Sequence, residues 1–225
     1  MRHRDHEALA RVKGIHKGQR CFLIGTGPSL NRIDRKLIME LAHEHTFGVN
    51  YLVSLDWWPF MPTYIAAAEL DHLERIQHHV EAAESRFRLT ASLWFSNHYC
   101  PTEFPRWNWL YRDHWARMQD GAFNGFGEEL DWVAEGECST FDCALPLACW
   151  MGFNQVYLVG CDNTRTGYAY DLTAPRADRP DSVIRAALVA RAKMEEQFVL
   201  LGDCCREGSL PLPKHPLKEL LVGRK

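Results

Sequence analysis

The stretch "CFLIGTGPSLN", from Cys21 to Asn31, is a short apolar run that stops at two glycines and a proline. A compact apolar run bounded by glycine predicts a buried strand over 20–25. Asp34 follows as a candidate N-cap of the next helix. A strand, a glycine turn and a helix in this order can bring backbone amides against a phosphate, but a plain tight turn has the same pattern.

Strand and helix patterns alternate along the rest of the chain. This alternation predicts an α/β fold, a Rossmann-like and mainly parallel sheet with helices on both faces. Further strands are predicted over 46–52, 62–70 and 155–162, and within "RLTASLWFS", "WNWLYR" and "VLLGDCC"; helices are predicted over 72–87, 139–153 and 183–198.

The length of 225 residues predicts a single domain over 1–225. Within it, residues 96–137 are rich in Trp, Pro, Gly and Asn, which indicates an irregular aromatic insertion. Residues 163–182 form a polar connection of a length at which loops tend to be functional, so they are a candidate lid. A formal net charge of −3 argues against a globally basic nucleic-acid binder, and no obligate nucleic-acid partner is expected.

The cysteine pattern and the hydropathy bear on the compartment. The eight cysteines include no C-x-x-C pair, which predicts free thiols in a reducing compartment and gives no support to a metal site. No stretch has the roughly 18 apolar residues needed to span a bilayer, and "MRHRDHEALARVKG" lacks the apolar segment of a secretory signal. A cytoplasmic protein with no transmembrane segment is therefore expected, and peripheral membrane contact stays open.

Glycines and polar residues follow several of the predicted strands. The segment 25–29 follows the first strand, Asn50 the second, Glu69 the third, and Asp162 the strand "QVYLVGCD". Because ligands of parallel α/β sheets bind beyond the carboxyl ends of the strands, these residues are expected to converge on one site. Asp162 is also a candidate for capping its own turn through the side chain.

Four blocks carry a resemblance to known proteins. They are "CFLIGTGPSLNRID", "TFGVNYL", "PTYIAAAE" and "STFDCALPLACWMGFNQVYLVGCD". In order and spacing they resemble a superfamily that contains bacterial lipooligosaccharide sialyltransferases and an uncharacterised family with archaeal, MptE-like hydroxymethylpterin diphosphokinases. The resemblance implies a Rossmann-like enzyme that binds a nucleotide-sugar, with a CMP-sugar favoured, and transfers the glycosyl group to a hydroxyl acceptor. It implies no required cofactor and is compatible with a homo-oligomer.

The same resemblance assigns roles to individual residues. Tyr168 matches one of two tyrosines that hold the leaving phosphate, and the other position is Thr164 here. The family's catalytic histidine has no counterpart near 175–185, so Asp178 and Asp181 are candidate general bases, with His98 and His114 of the aromatic insertion as alternatives. The implied nucleotide site comprises Gly25, Thr26, Gly27, Pro28, Ser29, Asn50, Glu69, Ser139, Thr140, Asp162 and Thr164, where Thr26 replaces an asparagine of the family.

Two other functions remain open at this point. One is a magnesium-dependent transferase that moves pyrophosphate from ATP to a small alcohol, with Glu69 and Asp162 as the metal-binding carboxylates. The other is a non-catalytic member that binds a partner through its Trp-rich segment. The absent lid histidine and Thr26 favour the non-catalytic function, whereas the retained glycines, Ser29 and Asn50 do not.

Overall fold

The structure, a computed structural model, describes residues 10–67, 70–88, 93–96, 107–109, 139–163, 167–174 and 180–222. Its strands form one seven-stranded sheet in the order β5-β4-β3-β2-β1-β6-β7, and every pairing between them is parallel. The α/β fold expected from the sequence is therefore confirmed. The strands are β1 (Arg20–Ile24), β2 (His45–Val49), β3 (Tyr64–Ala67), β4 (Leu93–Ser96), β5 (Trp107–Trp109), β6 (Gln155–Val159) and β7 (Leu200–Asp203).

Helices connect the strands and cover both faces of the sheet. Asp34 accepts a hydrogen bond from the Lys36 amide at 2.9 Å and so caps the first helix, as the sequence predicts. The α-helices are α1 (Arg35–Glu40), α2 (Leu70–Phe87), α3 (Leu145–Trp150), α4 (Pro180–Glu196) and α5 (Leu217–Val222); shorter 3₁₀ turns span Pro28–Arg32, Leu41–His43 and Leu52–Ser54, and a π-helical turn spans Thr140–Ala144.

The core lies on the two faces of the sheet. Side chains alternate along β1, so that Leu23 packs towards α3 and α4 while Ile24 packs towards α1 and α5. A third cluster packs α2 against the same face as α1, through Ile65 of β3. Because β1 is buried on both faces, its residues form an apolar run without polar alternation.

The strand order places a topological switch point beside β1. From β1 the chain proceeds through β2 to β5 on one side and then crosses to β6 on the other side. The connections that leave the carboxyl ends of β1 and β6 therefore lead towards opposite edges of the sheet. This is the position at which open α/β sheets bind their ligands.

Three details differ from the sequence-based prediction. Strand β5 is the strand predicted within "WNWLYR", but it lies inside the predicted irregular insertion 96–137, so this part of the insertion belongs to the sheet; Trp107 in it is fully buried. The predicted helix 139–153 is a π-helical turn followed by α3, and it ends at Trp150. Helix α4 begins at Pro180, so the last residues of the candidate lid form its first turn.

In the described segments the cysteines are free thiols, and no three His, Cys, Asp or Glu side chains group as metal ligands. No helix of the described segments is both long and apolar enough to cross a bilayer.

Candidate functional site

The segment Gly25–Ser29, called the glycine loop below, packs directly on the backbone that follows β6. The Gly25 amide donates to the Val159 carbonyl at 2.8 Å, and the Gly27 amide donates to the Gly160 carbonyl at 2.7 Å. A Cβ atom on Gly25 would lie 2.7 Å from the Gly160 oxygen, and one on Gly27 would lie 2.6 Å from it. The two glycines are therefore required because the chain segments cross without room for a side chain.

Asp162 holds the glycine loop from behind. Its side chain is 1% exposed, and its Oδ2 atom accepts a hydrogen bond from the Ser29 amide at 2.7 Å. Its Oδ1 atom accepts from the Cys205 thiol at 2.6 Å. Both carboxylate oxygens thus bind groups of the protein, which makes Asp162 an anchor of the loop; a contact with a nucleotide stays a prediction.

These contacts overturn one expectation about the loop. The sequence suggested that several loop amides meet a phosphate, yet the amides of Gly25, Gly27 and Ser29 all donate to protein oxygens. Pro28, the first residue of the 3₁₀ turn, has no N–H. An amide cradle for phosphate is therefore not what this loop provides, and a contact of Thr26 with a ligand stays a prediction.

Behind Asp162 lies a second buried carboxylate that the sequence did not single out. Asp203, at the end of β7, is fully buried; it accepts from the Lys214 ammonium at 2.6 Å and from the Cys205 amide at 2.8 Å. Burial raises the pKa of Asp203, and the Lys214 contact opposes that rise. Burial and the nearby Asp162 raise the pKa of Cys205 to about 11, so its thiol keeps the proton that it donates to Asp162.

Asn50 and Ser139 come together at the end of β2. Asn50 has a φ of 52°, in the left-handed region that asparagine tolerates better than most residues, and its amide donates to the Ala66 carbonyl at 2.9 Å. The Ser139 hydroxyl donates to Asn50 Oδ1 at 2.6 Å. Ser139 therefore does not cap its own helix, as an ordinary N-cap serine would, but orients the Asn50 amide group.

Thr140 connects this pair to the glycine loop. Its hydroxyl lies 3.8 Å from the Cys161 thiol, and that thiol would lie 2.9 Å from a Cβ atom on Gly25. Cys161 is thus a half-buried wall residue at the switch point. The sequence analysis missed it, although its position one residue before Asp162 at the end of a buried strand was a signal.

The middle of the candidate lid is docked on the glycine loop. The Ala169 amide donates to the Thr26 carbonyl at 2.8 Å, and the Asn31 side-chain amide donates to the Ala169 carbonyl at 3.1 Å. The Tyr168 amide donates to the Asp171 carbonyl at 2.7 Å, which closes a tight turn. Tyr168 is therefore held next to the glycine loop, and its contact with a leaving phosphate stays a prediction.

The remaining predicted residues are not part of this geometry. Asp181 lies in the first turn of α4 with an exposed side chain, and its role as a general base stays a prediction. Five others lie outside the described residues: Glu69, Thr164, Asp178, His98 and His114.

Comparisons with known proteins bear on the fold. No protein-family model matches the chain, and no curated protein matches it either. Among solved structures, the chain is similar to the sialyltransferase CstII from Campylobacter jejuni in complex with the substrate analogue cytidine-5'-monophosphate (TM-score 0.58, 15% identity, 89% of this chain and 86% of that chain covered). The CstII complex with CMP-3FNeuAc gives a TM-score of 0.57 at 16% identity, with 88% and 87% covered.

A second protein shares the architecture. The MAf glycosyltransferase from Magnetospirillum magneticum AMB-1 gives a TM-score of 0.61 at 14% identity; the match covers 95% of this chain and 38% of that chain. At such identities the likeness shows a common fold. The Rossmann-like fold that the sequence resemblance implied is thus confirmed, and it is the fold of these glycosyltransferases.

Proposed function

We propose that this chain is a glycosyltransferase that binds a nucleotide-sugar, with a CMP-sugar favoured, and transfers the glycosyl group to a hydroxyl acceptor. The observation that carries the proposal is the meeting of the glycine loop, Asn50, Ser139 and Thr140 at the switch point of a fold shared with a CMP-bound sialyltransferase. Function does not follow from a fold alone, so the proposal depends on this convergence.

The contacts suggest how the chain would hold such a donor. The Ser139 hydroxyl binds the side-chain oxygen of Asn50 and so fixes the orientation of the amide group. The Asn50 NH₂ group can then donate a hydrogen bond to a ligand. Thr26 offers an amide and a hydroxyl from the glycine loop. Tyr168, next to the residue whose amide binds the Thr26 carbonyl, would donate a hydrogen bond from its phenol O–H to the departing phosphate as negative charge develops there.

Transfer of the glycosyl group also requires a general base. The acceptor oxygen attacks the anomeric carbon, the bond from that carbon to the nucleotide phosphate breaks, and a base takes the acceptor proton. Asp181 is the candidate base within the part of the chain that the structure describes. A carboxylate within hydrogen-bond reach of the acceptor hydroxyl can accept that proton.

The magnesium-dependent alternative fits the described residues less well. It requires Asp162 as a metal-binding carboxylate, yet both oxygens of Asp162 already accept hydrogen bonds from Ser29 and Cys205. A magnesium ion bound there would have to displace the anchor of the glycine loop. No step of the proposed transfer is therefore assigned to a metal.

Isothermal calorimetry with CMP, CDP, UDP, GDP and ATP, each with and without Mg²⁺, tests the proposal. We expect one of the nucleotides CMP, CDP, UDP or GDP to bind without Mg²⁺. Ser139→Ala should weaken that binding about tenfold, because Asn50 loses the hydrogen bond that orients it. Ser85→Ala is the matched control, since the Ser85 hydroxyl donates within α2 to the Glu81 carbonyl.

The outcomes separate the three functions. Binding of ATP that requires Mg²⁺ would support the diphosphokinase-like alternative. A folded protein that binds none of the nucleotides would overturn the glycosyltransferase proposal and support the non-catalytic alternative. Equal effects of Ser139→Ala and Ser85→Ala would remove Asn50 and Ser139 from the site.

A further inference from the structure

Four aromatic side chains form a continuous row beside the candidate site. The rings of Tyr168 and Tyr170 stack with centroids 5.0 Å apart and an interplanar angle of 6°. Tyr170 meets Tyr51 edge to face at 5.8 Å, and Tyr51 meets His79 of α2 in the same way at 5.8 Å. We call these four residues the aromatic row.

The aromatic row adjoins the candidate site at two places, the glycine loop and Asn50. Tyr168 and Tyr170 flank Ala169, whose amide and carbonyl bind Thr26 and Asn31 respectively, so the first two rings stand next to the glycine loop. Tyr51 directly follows Asn50. A ligand held by Thr26 and Asn50 would therefore have the aromatic row as its neighbour.

Core packing accounts for only part of the row. Tyr51 is half-buried and packs against the core cluster beneath α2, whereas Tyr170 is 45% exposed and the His79 side chain is exposed. The exposed ring of Tyr170 is held by its contacts with Tyr168 and Tyr51, and it offers an apolar aromatic surface with a polar hydroxyl at its edge. This surface suits a ring that has apolar C–H groups on its faces and hydroxyl groups around its rim, which describes a sugar.

We propose that the aromatic row binds a sugar ring, with Tyr170 as the principal stacking surface. The inference rests on the proposed function for its place in the reaction, because the ring belongs either to the donor sugar or to a saccharide acceptor. Both sources present the same chemistry to the row. The nucleobase, a flat aromatic ring, is the competing occupant.

Two sets of ligands distinguish the sources. The donor arm compares each nucleotide with its sugar-linked form by calorimetry, using CMP with CMP-3FNeuAc, UDP with UDP-glucose and GDP with GDP-mannose. The acceptor arm measures binding of the disaccharide lactose by saturation-transfer NMR, with and without the nucleotide. The variants are Tyr170→Ala, which removes the ring, and Tyr170→Phe, which keeps it. Phe198→Ala removes an aromatic ring that is 93% exposed and lies outside the row.

We expect Tyr170→Ala to weaken the sugar-linked nucleotide, or lactose, about tenfold while the affinity for the bare nucleotide changes less than twofold. Tyr170→Phe and Phe198→Ala should leave both affinities within about twofold of the unaltered protein. A loss in the donor arm alone assigns the row to the donor sugar, and a loss in the acceptor arm alone assigns it to the acceptor.

Other results overturn the inference. If Tyr170→Ala weakens the bare nucleotide as much as the sugar-linked form, the row binds the base and not a sugar. If neither arm responds to Tyr170→Ala although a nucleotide binds, the row binds no sugar and the proposed function stands without it. If no nucleotide binds but lactose does, and Tyr170→Ala removes that binding, the proposed function fails and the inference holds. If the unaltered protein binds neither nucleotide nor sugar, both fail.

Discussion

The substitution Gly27→Ala probes the contact on which the glycine loop depends. The backbone of Gly27 has φ −68° and ψ 156°, which alanine adopts without strain. The added Cβ atom would nevertheless lie 2.5 Å from Asp162 Oδ2 and 2.6 Å from the Gly160 carbonyl oxygen. The cost of the substitution is therefore steric and not conformational.

The expected loss of stability in Gly27→Ala follows from the atoms that the added methyl group displaces. Forcing a methyl group into a packed interior costs about 1–3 kcal/mol. Displacing Asp162 also weakens the charge-assisted hydrogen bond from the Ser29 amide, which contributes about 1.5–3 kcal/mol. We therefore expect Gly27→Ala to lower the free energy of unfolding by about 3–5 kcal/mol. For a chain of this length the melting temperature should fall by roughly 10 °C.

Urea denaturation followed by circular dichroism measures this change, provided that unfolding is reversible. Gly18→Ala is the control, because Gly18 has a φ of 79° and nothing within 4 Å of an added Cβ atom. That variant carries only the left-handed backbone strain, about 1–2 kcal/mol. The comparison separates the steric clash at Gly27 from a general effect of replacing glycine.

A double-mutant cycle with Asp162→Ala tests the identity of the clashing group. Removing the carboxylate relieves one of the two close contacts, so the combined loss should be smaller than the sum of the single losses by about 1 kcal/mol or more. The reasoning is refuted if Gly27→Ala loses less stability than Gly18→Ala. Strict additivity with Asp162→Ala would show that Asp162 does not press on the loop.

Three further predictions concern stability elsewhere in the fold. Arg20 and Glu44 form a bidentate ion pair with 15% and 7% side-chain exposure. Glu44→Ala should therefore lower the free energy of unfolding, measured by urea denaturation, by about 3 kcal/mol, and the double variant Arg20→Met with Glu44→Leu should recover most of that loss. A loss below about 1 kcal/mol in Glu44→Ala contradicts this prediction. Burial, and next the neighbouring His16, lower the pKa of His45. The stability that His45 contributes above about pH 6.5 should therefore be lost as the pH falls through its folded-state pKa, and His45→Gln should flatten this decline. An unchanged pH profile of stability in His45→Gln argues against this prediction. Phe198 has a φ of 58° and is 93% exposed, so Phe198→Asn should raise the free energy of unfolding by about 0.5–1 kcal/mol and the melting temperature slightly. A lower melting temperature would show that the ring stabilises the fold.

Much of the sheet could be predicted from the sequence because its strands are locally recognisable. The segments of β1 and β6 are short apolar runs that end at glycine, and they pair in the centre of the sheet where both faces are covered. A strand was also predicted within "WNWLYR", where β5 lies, although the surrounding Trp, Pro and Gly content is typical of a loop. Its place at the edge of the sheet depends on pairing with β4, which no local pattern encodes.

The candidate site was predictable in position but not in its bonding. Asn50 and Ser139 were both named from the sequence, yet the hydrogen bond between them joins residues 89 positions apart. Ser29 and Asp162 are 133 positions apart, and their bond decides that the loop amide faces the protein and not a ligand. A glycine pattern alone is the same whether the glycines admit a phosphate or a neighbouring backbone.

The sequence by itself determined an α/β sheet and the edge of that sheet at which polar residues lie. Both follow from "CFLIGTGPSLN" together with the apolar runs that alternate with helical patterns. Those features are local, since strand period, helix period and turn residues act over a few positions. Only the tertiary structure decided that Gly25 and Gly27 are needed for contact with Gly160, that Asp162 anchors the loop, and that Tyr51 and Tyr170 form one surface. These outcomes depend on distances between segments that the chain brings together only after it crosses the sheet.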